Sequence, residues 1–233
     1  MFTLDCPMQM VIICGGLATR LGYLAKTIPK SMIPIEGKPF LEYQIENLKN
    51  NSIKDIILCV GHLSEKIERY FGNGKKFGVN IKYSHDGDKP LGQIGAVKNA
   101  ESSLQDDFFI MYGDSYVNID FQRAYSFFSQ NKKLGLIVVY KNYDRYDKSN
   151  LTIKDNMVIG YKEKNAVYID YGTSILTKKS LEDVPKNTFY STGDFFKELI
   201  KRQELLAFEA KKRFYHIGTP DALEEFRSYI RSR

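Results

Sequence analysis

The stretch QMVIICGG, at positions 9–16, decides the fold class of the chain. The residues from Met10 to Cys14 are all apolar, which is typical of a strand that is covered on both faces of its sheet. Gly15 and Gly16 end this strand, and glycine permits backbone torsions and a close ligand approach that a Cβ atom would block. The stretch therefore indicates a buried first strand that runs into a ligand-binding loop.

Strand-like and helix-like segments alternate through the first half of the chain. The strand-like segments are DIILCVG (55–61), NIKYS (80–84), FFIMYG (108–113) and LGLIVVY (134–140). The helix-like segments are PFLEYQIENLKN (39–50), LSEKIERYF (63–71), QIGAVKNAESSL (93–104) and FQRAYSFFSQN (121–131). This alternation predicts right-handed crossovers and a parallel sheet with helices on both faces.

The second half of the chain has a different character. NLTIKDNMVIGYKEK (150–164) is typical of a hairpin that turns at Asp155-Asn156, VYIDYGTSILTK (167–178) of a further strand, and a final helix follows Pro220. We therefore expect an α/β fold with a Rossmann-like, doubly wound mixed sheet, mostly parallel with antiparallel additions.

This fold occupies a single domain over residues 9–233 in our interpretation, after an N-terminal extension at 1–8. In open sheets of this kind, ligands bind at the carboxyl ends of the strands, where the crossover direction reverses. The loop that begins at Gly15 lies at such a position.

The composition argues against several classes of protein. The chain has 233 residues, 43% of them apolar and 27% charged, as in ordinary globular proteins. Its net charge is +6, but no basic stripe interleaved with aromatic residues is present, so nucleic acid is not an expected partner. Without a signal peptide or a long apolar run, we expect a cytoplasmic protein with no membrane partner. The odd number of cysteines, three, argues against a disulfide framework.

Two groups of residues point to a phosphorylated ligand. Gly15 and Gly16 open a loop that also contains Arg20 and Lys30, and successive backbone N–H groups with two cations favour a polyanion. Asp114 follows a central strand, where its carboxylate would hold Mg²⁺ against phosphate oxygens. The alternatives are a tight turn with two exposed cations and an aspartate that only begins a turn.

The remaining polar positions are weaker indications of function. Glu163 and Lys164 lie side by side at a strand end, which also describes a solvated hairpin edge. Thr219 would cap the last helix, with Pro220 in its first turn. The three histidines are scattered, and no side-chain nucleophile or catalytic triad is indicated. Glycines, cations and a strand-end aspartate are typical of enzymes that transfer phosphoryl or nucleotidyl groups, in which positioning and charge stabilisation supply the rate enhancement.

A set of motifs in a fixed order resembles the sugar-1-phosphate nucleotidyltransferases. In order, the motifs are GGLATRL (15–21), PKSMIPIEGKPFLEY (29–43), KPLGQIGAV (89–97), YGDS (112–115), KEK (162–164), YIDYGTSIL (168–176), STGDFF (191–196) and YHIGTP (215–220). The chain is most similar to the short members that consist of the catalytic domain alone, of the GDP-heptose type. The resemblance implies a GT-A-like fold and the formation of an NDP-sugar and pyrophosphate from an NTP and a sugar 1-phosphate.

The resemblance also implies roles for the residues of the phosphate loop. Gly15 and Gly16 would lie against the nucleotide, and Arg20 would hold the departing β- and γ-phosphates. Lys30 would stabilise charge at the α-phosphate, and Asp114 would bind Mg²⁺ and, through it, the nucleotide. On this basis Arg20, Lys30 and Asp114 are the expected catalytic residues.

The remaining roles concern the base and the sugar. Gln93 and Gly95 lie in the segment that flanks the base. Lys164 would hold the phosphate of the incoming sugar, and Glu163 and Gly172 would line the sugar pocket.

The chain departs from the usual family pattern at several positions. Ala18 replaces a glycine in the phosphate loop, and Gln93-Ile94 replaces Thr-Gly beside the base. Asp170 stands where an asparagine often meets the sugar, and His216 stands where many members have a second metal-binding aspartate.

The change at His216 leaves three interpretations of the metal site open, because an imidazole is a poor ligand for Mg²⁺. Asp114 carries the metal with water and phosphates, another acid such as Asp194 assists, or the site has lost its activity.

The leading hypothesis is a Mg²⁺-dependent guanylyltransferase that uses GTP and a heptose-type sugar 1-phosphate for surface polysaccharide synthesis. The alternatives are a cytidylyl- or uridylyltransferase for another phosphorylated sugar or alcohol, and a non-catalytic regulator that binds a nucleotide sugar. The expected partners are an NTP and a sugar 1-phosphate, and the oligomeric state is not predicted.

Overall fold

The computed structural model describes residues 8–16, 27–87 and 89–233, and a mixed sheet of nine strands forms its centre. Strands β1–β13 are Gln9–Ile13, Pro34–Ile35, Lys38–Pro39, Asp55–Val60, Asn80–His85, Asp107–Tyr112, Ser115–Tyr116, Gly135–Lys141, Leu151–Lys154, Met157–Tyr161, Tyr168–Thr177, Leu205–Glu209 and Tyr215–His216. Helices α1–α6 are Phe40–Asn50, Ser64–Phe71, Gly92–Asn99, Phe121–Asn131, Thr192–Lys201 and Pro220–Arg231.

The order of the strands in the large sheet is β5-β4-β1-β6-β11-β8-β12-β10-β9. Strands β5, β4, β1 and β6 are mutually parallel, β11 is antiparallel to its neighbours β6 and β8, and β12 is parallel to β8. The predicted α/β fold with a doubly wound mixed sheet is therefore confirmed.

Helices cover both faces of the sheet, as the apolar strands predicted. Met10 and Ile12 of β1 face the core that α1, α2 and α4 cover, whereas Val11 faces the core under α3 and α5. All three side chains are fully buried. Burial of each such side chain contributes roughly 1.5–3 kcal/mol, which explains why the strand is apolar from Met10 to Ile13.

The antiparallel part of the sheet begins with the predicted hairpin. Strands β9 and β10 pair across a two-residue turn, and both turn residues have positive φ, 50° at Asp155 and 59° at Asn156. Asp and Asn tolerate this conformation better than most residues do, and such a turn matches the twist of the strands. The hairpin at Asp155-Asn156, the strand over 168–177 and the final helix from Pro220 are confirmed.

The direction of the crossovers reverses between β1 and β6. The β1-to-β4 connection contains α1 on one face, and the β5-to-β6 connection contains α3 on the other face. The ends of the two strands lie in close contact, because the Gly113 N–H donates a hydrogen bond of 2.9 Å to the Ile13 carbonyl. A Cβ atom at Gly113 would lie 2.7 Å from the same oxygen, so only glycine fits there. The switch point is where a ligand is expected.

Two predictions concern residues outside the described ranges. Arg20 and Ala18 both lie between the first two ranges, and most of the predicted N-terminal extension at 1–8 precedes the first one. None of the helices in the described ranges has both the length and the apolar character that crossing a bilayer requires.

Candidate active site

A cleft of about 450 Å³ lies at the switch point. Its walls are the carboxyl ends of β1 and β6, the short 3₁₀ helix at Lys30–Met32, the segment before α3, and Phe189. The predicted residues that line it are Gly15, Gly16, Lys30, Gln93 and Asp114. The tertiary structure therefore brings together five of the ten predicted site residues, which are up to 99 positions apart in the chain (15 to 114).

The two glycines at the end of β1 have different surroundings. A Cβ atom at Gly15 would lie 2.8 Å from Oδ2 of Asp86, so the backbone and this carboxylate are in close contact. Among the described residues, a Cβ atom at Gly16 would meet no atom within 4 Å, and Gly16 is exposed in the cleft. The absence of side chains leaves room for a ligand to approach the Gly16 backbone.

Lys30 and Asp114 form an ion pair in the cleft. The Nζ atom of Lys30 contacts Oδ2 of Asp114, and the two side chains are 14% and 29% exposed, respectively. Pro29 precedes the 3₁₀ helix that begins at Lys30, and this short helix directs the lysine across the cleft to the end of β6. A cation and a carboxylate that share one small site can together bind a phosphate chain and a metal ion.

The chemistry of Asp114 fits Mg²⁺, which prefers carboxylate and phosphate oxygens and uses few protein ligands. Among the described residues, no group of three or more His, Cys, Asp or Glu side chains forms a complete metal cage. Asp114 is thus the residue that would hold Mg²⁺, and bound phosphates would have to supply further ligands.

Neither His216 nor Asp194, the two candidates for a second metal-binding residue beside Asp114, is arranged as such a ligand. His216 pairs with Ser115 between the short strands β13 and β7, and its Nδ1 accepts a hydrogen bond of 3.0 Å from the Gly218 N–H. Asp194 lies at the start of α5, where its Oδ2 accepts a hydrogen bond of 2.6 Å from the hydroxyl of Ser191, the capping residue. Both side chains therefore make local contacts that support neighbouring backbone.

Strand β11 supplies a half-buried carboxylate beside the cleft. Oδ2 of Asp170 accepts a hydrogen bond of 3.1 Å from the hydroxyl of Tyr112, a cleft residue, and Oδ1 accepts one of 2.8 Å from the Gly172 N–H. Burial raises the pKa of Asp170 to about 6, although both hydrogen bonds oppose this shift.

Gly172 has a conformational reason to be glycine. Its φ is +91°, and a Cβ atom there would lie 2.7 Å from both Cβ and Oγ of Ser115. The pairing of β11 with β8 shifts register between Asp170 and Ser174, so the strand is irregular beside the cleft. This irregularity directs Asp170 and the Gly172 backbone towards Tyr112.

Gly95 does not line the cleft. It lies in the first turns of α3, where a Cβ atom would be 2.5 Å from the Thr188 carbonyl oxygen. The Tyr190 carbonyl accepts hydrogen bonds from the Ile94 and Gly95 N–H groups, at 3.1 and 3.3 Å. Gly95 thus positions the 188–190 segment, and only Gln93 of the predicted base-flanking pair faces the cleft.

Glu163 and Lys164 also lie outside the lining of the cleft. They follow β10 in a turn in which Lys162 and Asn165 have positive φ, and both side chains are exposed. The Glu163 carboxylate lies over Gly160, where a Cβ atom would be 2.2 Å from its Oε2. With the described residues, Lys164 forms no ion pair or side-chain hydrogen bond, so its ammonium is available to a ligand.

The comparison with known families agrees with this geometry. The sequence model of the family described as nucleotidyl transferase matches residues 9–233, which is nearly the whole chain. The chain belongs to the nucleotidyltransferase family. It is therefore an enzyme, and the predicted resemblance to sugar-1-phosphate nucleotidyltransferases is confirmed.

Relatives of this nucleotidyltransferase extend over its full length. D-glycero-alpha-D-manno-heptose 1-phosphate guanylyltransferase from Campylobacter jejuni is 34% identical over 94% of the chain and 98% of that protein. The enzyme of the same name from Aneurinibacillus thermoaerophilus is 32% identical over 96% of the chain and its own whole length. The crystal structure of HddC from Yersinia pseudotuberculosis, complexed with GMP-PN, is 29% identical and has a TM-score of 0.82, with 96% and 99% of the two chains covered.

Three residues of this nucleotidyltransferase that line the cleft were missed in the sequence: Asp86, Tyr112 and Phe189. Asp86 follows β5, and burial raises the pKa of its carboxyl group above the usual range while a backbone hydrogen bond from Leu91 opposes the shift. Its position at the carboxyl end of a parallel strand was the available signal, the same signal that singled out Asp114.

Phe189 is a large apolar side chain that is 64% exposed at the cleft. The 188–190 segment docks on α3, where a Cβ atom at Gly92 would lie 2.7 Å from the Tyr190 carbonyl oxygen. No local sequence pattern announces this aromatic residue, because only the docking brings it to the cleft.

Cys14 also lines the cleft, but it is not a nucleophile. Burial raises the pKa of its thiol to about 12, so the reactive thiolate is absent at neutral pH.

Proposed function

We propose that the chain is a guanylyltransferase that converts GTP and a heptose-type sugar 1-phosphate into a GDP-sugar and pyrophosphate. The observation that carries the proposal is the joint placement of Lys30, Asp114 and the glycine loop in one cleft at the switch point. The names of the two relatives support the guanine base and the heptose acceptor, and the GMP-PN in the HddC complex supports the guanine base.

The reaction needs alignment and charge stabilisation more than chemical groups. An oxygen of the sugar phosphate attacks the α-phosphorus of GTP, and the bond to the β-phosphate oxygen breaks as pyrophosphate leaves. Lys30 would contact the α-phosphate, where negative charge accumulates, and Mg²⁺ held at Asp114 would neutralise the phosphate chain. Arg20, outside the described ranges, remains the proposed contact for the leaving phosphates.

The base would lie between Asp86 and Phe189 in this proposal. An ionised carboxylate only accepts hydrogen bonds, and guanine offers two adjacent donors, N1–H and the 2-amino group. Asp86 can accept both, whereas Gln93 offers an amide to the remaining edge of the base. An exposed aromatic ring such as Phe189 supplies a stacking surface that any base can use, so Asp86 would carry the choice of guanine.

The sugar would lie on the side of Tyr112 and β11. Asp170 and the Gly172 backbone meet Tyr112 there, and polar groups of this kind suit a sugar with many hydroxyl groups. Glu163 and Lys164 remain the proposed contacts for the sugar and its phosphate, from the exposed turn after β10. The reaction would take place in the cytoplasm, where GTP is available, and would supply nucleotide sugars for surface polysaccharides.

The test is pyrophosphate release with Mg²⁺, with ATP, CTP, GTP and UTP each combined with a set of sugar 1-phosphates that includes a heptose 1-phosphate. We expect release with GTP and the heptose 1-phosphate, and its loss in the Asp114→Asn variant. Release with CTP or UTP alone would overturn the proposed base. If no combination releases pyrophosphate although nucleotide still binds, the result would favour a non-catalytic regulator instead.

A further inference from the structure

In the cleft, the ammonium of Lys30 is paired with the carboxylate that a metal ion would need. Among the described residues, two acidic side chains line the cleft, and Asp86 lies against Gly15, at the base-binding end of the proposed site. Asp114 is the carboxylate at the end of β6, and its Oδ2 is paired with the Lys30 ammonium. A cation is thus already bound at the oxygen that would coordinate Mg²⁺.

His216 does not offer the metal ion a second protein ligand in this arrangement. Its Nδ1 accepts a hydrogen bond from the Gly218 N–H, so the lone pair of that nitrogen is in use. A neutral imidazole with an accepting Nδ1 carries its proton on Nε2, which is then a donor and has no lone pair for a metal ion. Within the part of the chain that the structure describes, a metal ion at the end of β6 therefore depends on Asp114 and on whatever the substrate supplies.

Electrostatics make metal binding to the free enzyme unfavourable. The Lys30 side chain is only 14% exposed, and a largely buried ammonium needs a partner of opposite charge. A divalent ion that displaced Lys30 from Asp114 would leave this ammonium unpaired and close to two further positive charges. The phosphates of a nucleotide remove the problem, because they give Lys30 a new partner and give the metal ion oxygen ligands.

We propose that the metal site forms only together with the nucleotide: Lys30 moves from Asp114 to the phosphates, and the released carboxylate takes the metal ion. Metal ions then enter as a metal–nucleotide complex, not before the nucleotide. Lys30 thus has two roles, since it blocks the metal site of the free enzyme and contacts the substrate in the complex. Only one part of the inference rests on the proposed nucleotidyl transfer, namely that Lys30 contacts the phosphates in the complex.

The experiment uses Mn²⁺ alone as a probe, with free Mn²⁺ measured by electron paramagnetic resonance in the presence of the nucleotide-free enzyme. Lys30→Met removes the charge and retains most of the side-chain length, and Lys30→Gln is a second neutral variant in case the first does not fold. Lys30→Arg retains a cation, and Asp114→Asn removes the ligand. Lys201→Met, at an exposed position at the end of α5, controls for a change in net charge.

We expect the neutral Lys30 variants to bind Mn²⁺ about tenfold or more tightly than the wild type, which is about 1.4 kcal/mol. Lys30→Arg and Lys201→Met should remain as weak as the wild type, and Asp114→Asn combined with Lys30→Met should lose the gain. An unchanged or lower Mn²⁺ affinity in both neutral variants would overturn the proposal, as would a gain that survives the loss of Asp114.

A second measurement should show that the same variants bind the nucleotide more weakly, although they bind Mn²⁺ more tightly. A non-hydrolysable GTP analogue with Mn²⁺ should bind the neutral Lys30 variants about tenfold more weakly than the wild type, since a phosphate contact is lost. A merely structural role of Lys30 would not tighten the one affinity while weakening the other. The Mn²⁺ measurement contains no substrate, so it stands even if the enzyme uses another nucleotide, in which case only the GTP-analogue result would fail.

Discussion

The hydroxyl of Tyr112 donates a hydrogen bond of 3.1 Å to Oδ2 of Asp170, and this contact connects the two sides of the proposed site. Tyr112 ends β6 and lines the cleft, whereas Asp170 lies on the antiparallel strand β11. Both oxygens of the carboxylate have hydrogen-bond donors, because the Gly172 N–H contacts the other one. The proposed nucleotide side and the proposed sugar side are therefore connected by one half-buried carboxylate.

Asp170 should make the stability of the enzyme depend on pH. Burial raises its pKa from 3.8 to about 6, so the folded state holds this proton more tightly than the unfolded chain does. Stability must then fall as pH rises through the interval from about 4 to 6, by roughly 2–3 kcal/mol for a shift of this size. Asparagine does not titrate, so the advantage of Asp170→Asn over the wild type should grow over the same interval.

Urea unfolding of Asp170→Asn and wild type at several pH values between 4 and 8 measures this difference. Asp183→Asn is a matched control, because the Asp183 side chain is 86% exposed and its partner Arg202 is also at the surface. Parallel curves of unfolding free energy for wild type and Asp170→Asn would show that the burial of Asp170 does not control its titration.

Gly172→Ala should destabilise the protein by about 2–4 kcal/mol, because a positive φ and a contact of 2.7 Å with Ser115 both oppose a side chain. Gly160→Ala is the matched control. The three atoms nearest to a Cβ atom at Gly160 all belong to the end of the exposed Glu163 side chain, which can move away, so the loss should remain below about 1 kcal/mol. Equal losses in thermal or urea unfolding would contradict the close approach at Gly172.

Lys30→Ala should reduce kcat by about 10²–10³ and leave the fold intact, because a positive charge at the α-phosphate is lost in the transition state. Circular dichroism checks that the fold is intact, and steady-state pyrophosphate release measures kcat. Lys201→Ala, which removes an exposed lysine far along the chain, should retain wild-type turnover. Near-normal turnover of Lys30→Ala would remove Lys30 from the proposed catalytic residues.

Asp86→Asn should weaken the preference for GTP. The amide replaces one acceptor with a donor, which faces a donor of guanine, and a lost pair of this kind costs about 1–3 kcal/mol, or roughly 5- to 150-fold in kcat/KM. Inosine triphosphate, which lacks the 2-amino group, is the matched substrate. Wild type should prefer GTP to it and Asp86→Asn should not; the same preference in both enzymes would place the base elsewhere.

Lys164→Ala should raise the KM for the sugar 1-phosphate about tenfold without changing the KM for the nucleotide, because it removes a ground-state phosphate contact. Lys162→Ala is the neighbouring control, since the Lys162 ammonium already lies over an aromatic ring, 5.5 Å from the centre of Tyr161. Equal effects of the two substitutions would indicate a general contribution of charge from this turn.

Much of the fold could be predicted because its signals are local. The apolar strand over 10–14, the glycines after it and the turn at Asp155-Asn156 each record a requirement that their own residues must meet. Lys30 and Asp114 could also be singled out, since both follow recognisable elements. Of the missed residues, Asp86 carried the signal of a strand end, whereas Phe189 depends on Gly92, about 100 positions away, and no local pattern records that contact.

The sequence by itself determined the α/β class, the end of the sheet at which the cleft lies and the family, because burial, backbone torsion and motif order are properties of short segments. Only the tertiary structure decided that Lys30 pairs with Asp114, that His216 uses its Nδ1 on its own backbone, and that Tyr112 meets Asp170. The order and register of the strands set these distances, and those depend on the packing of the whole chain.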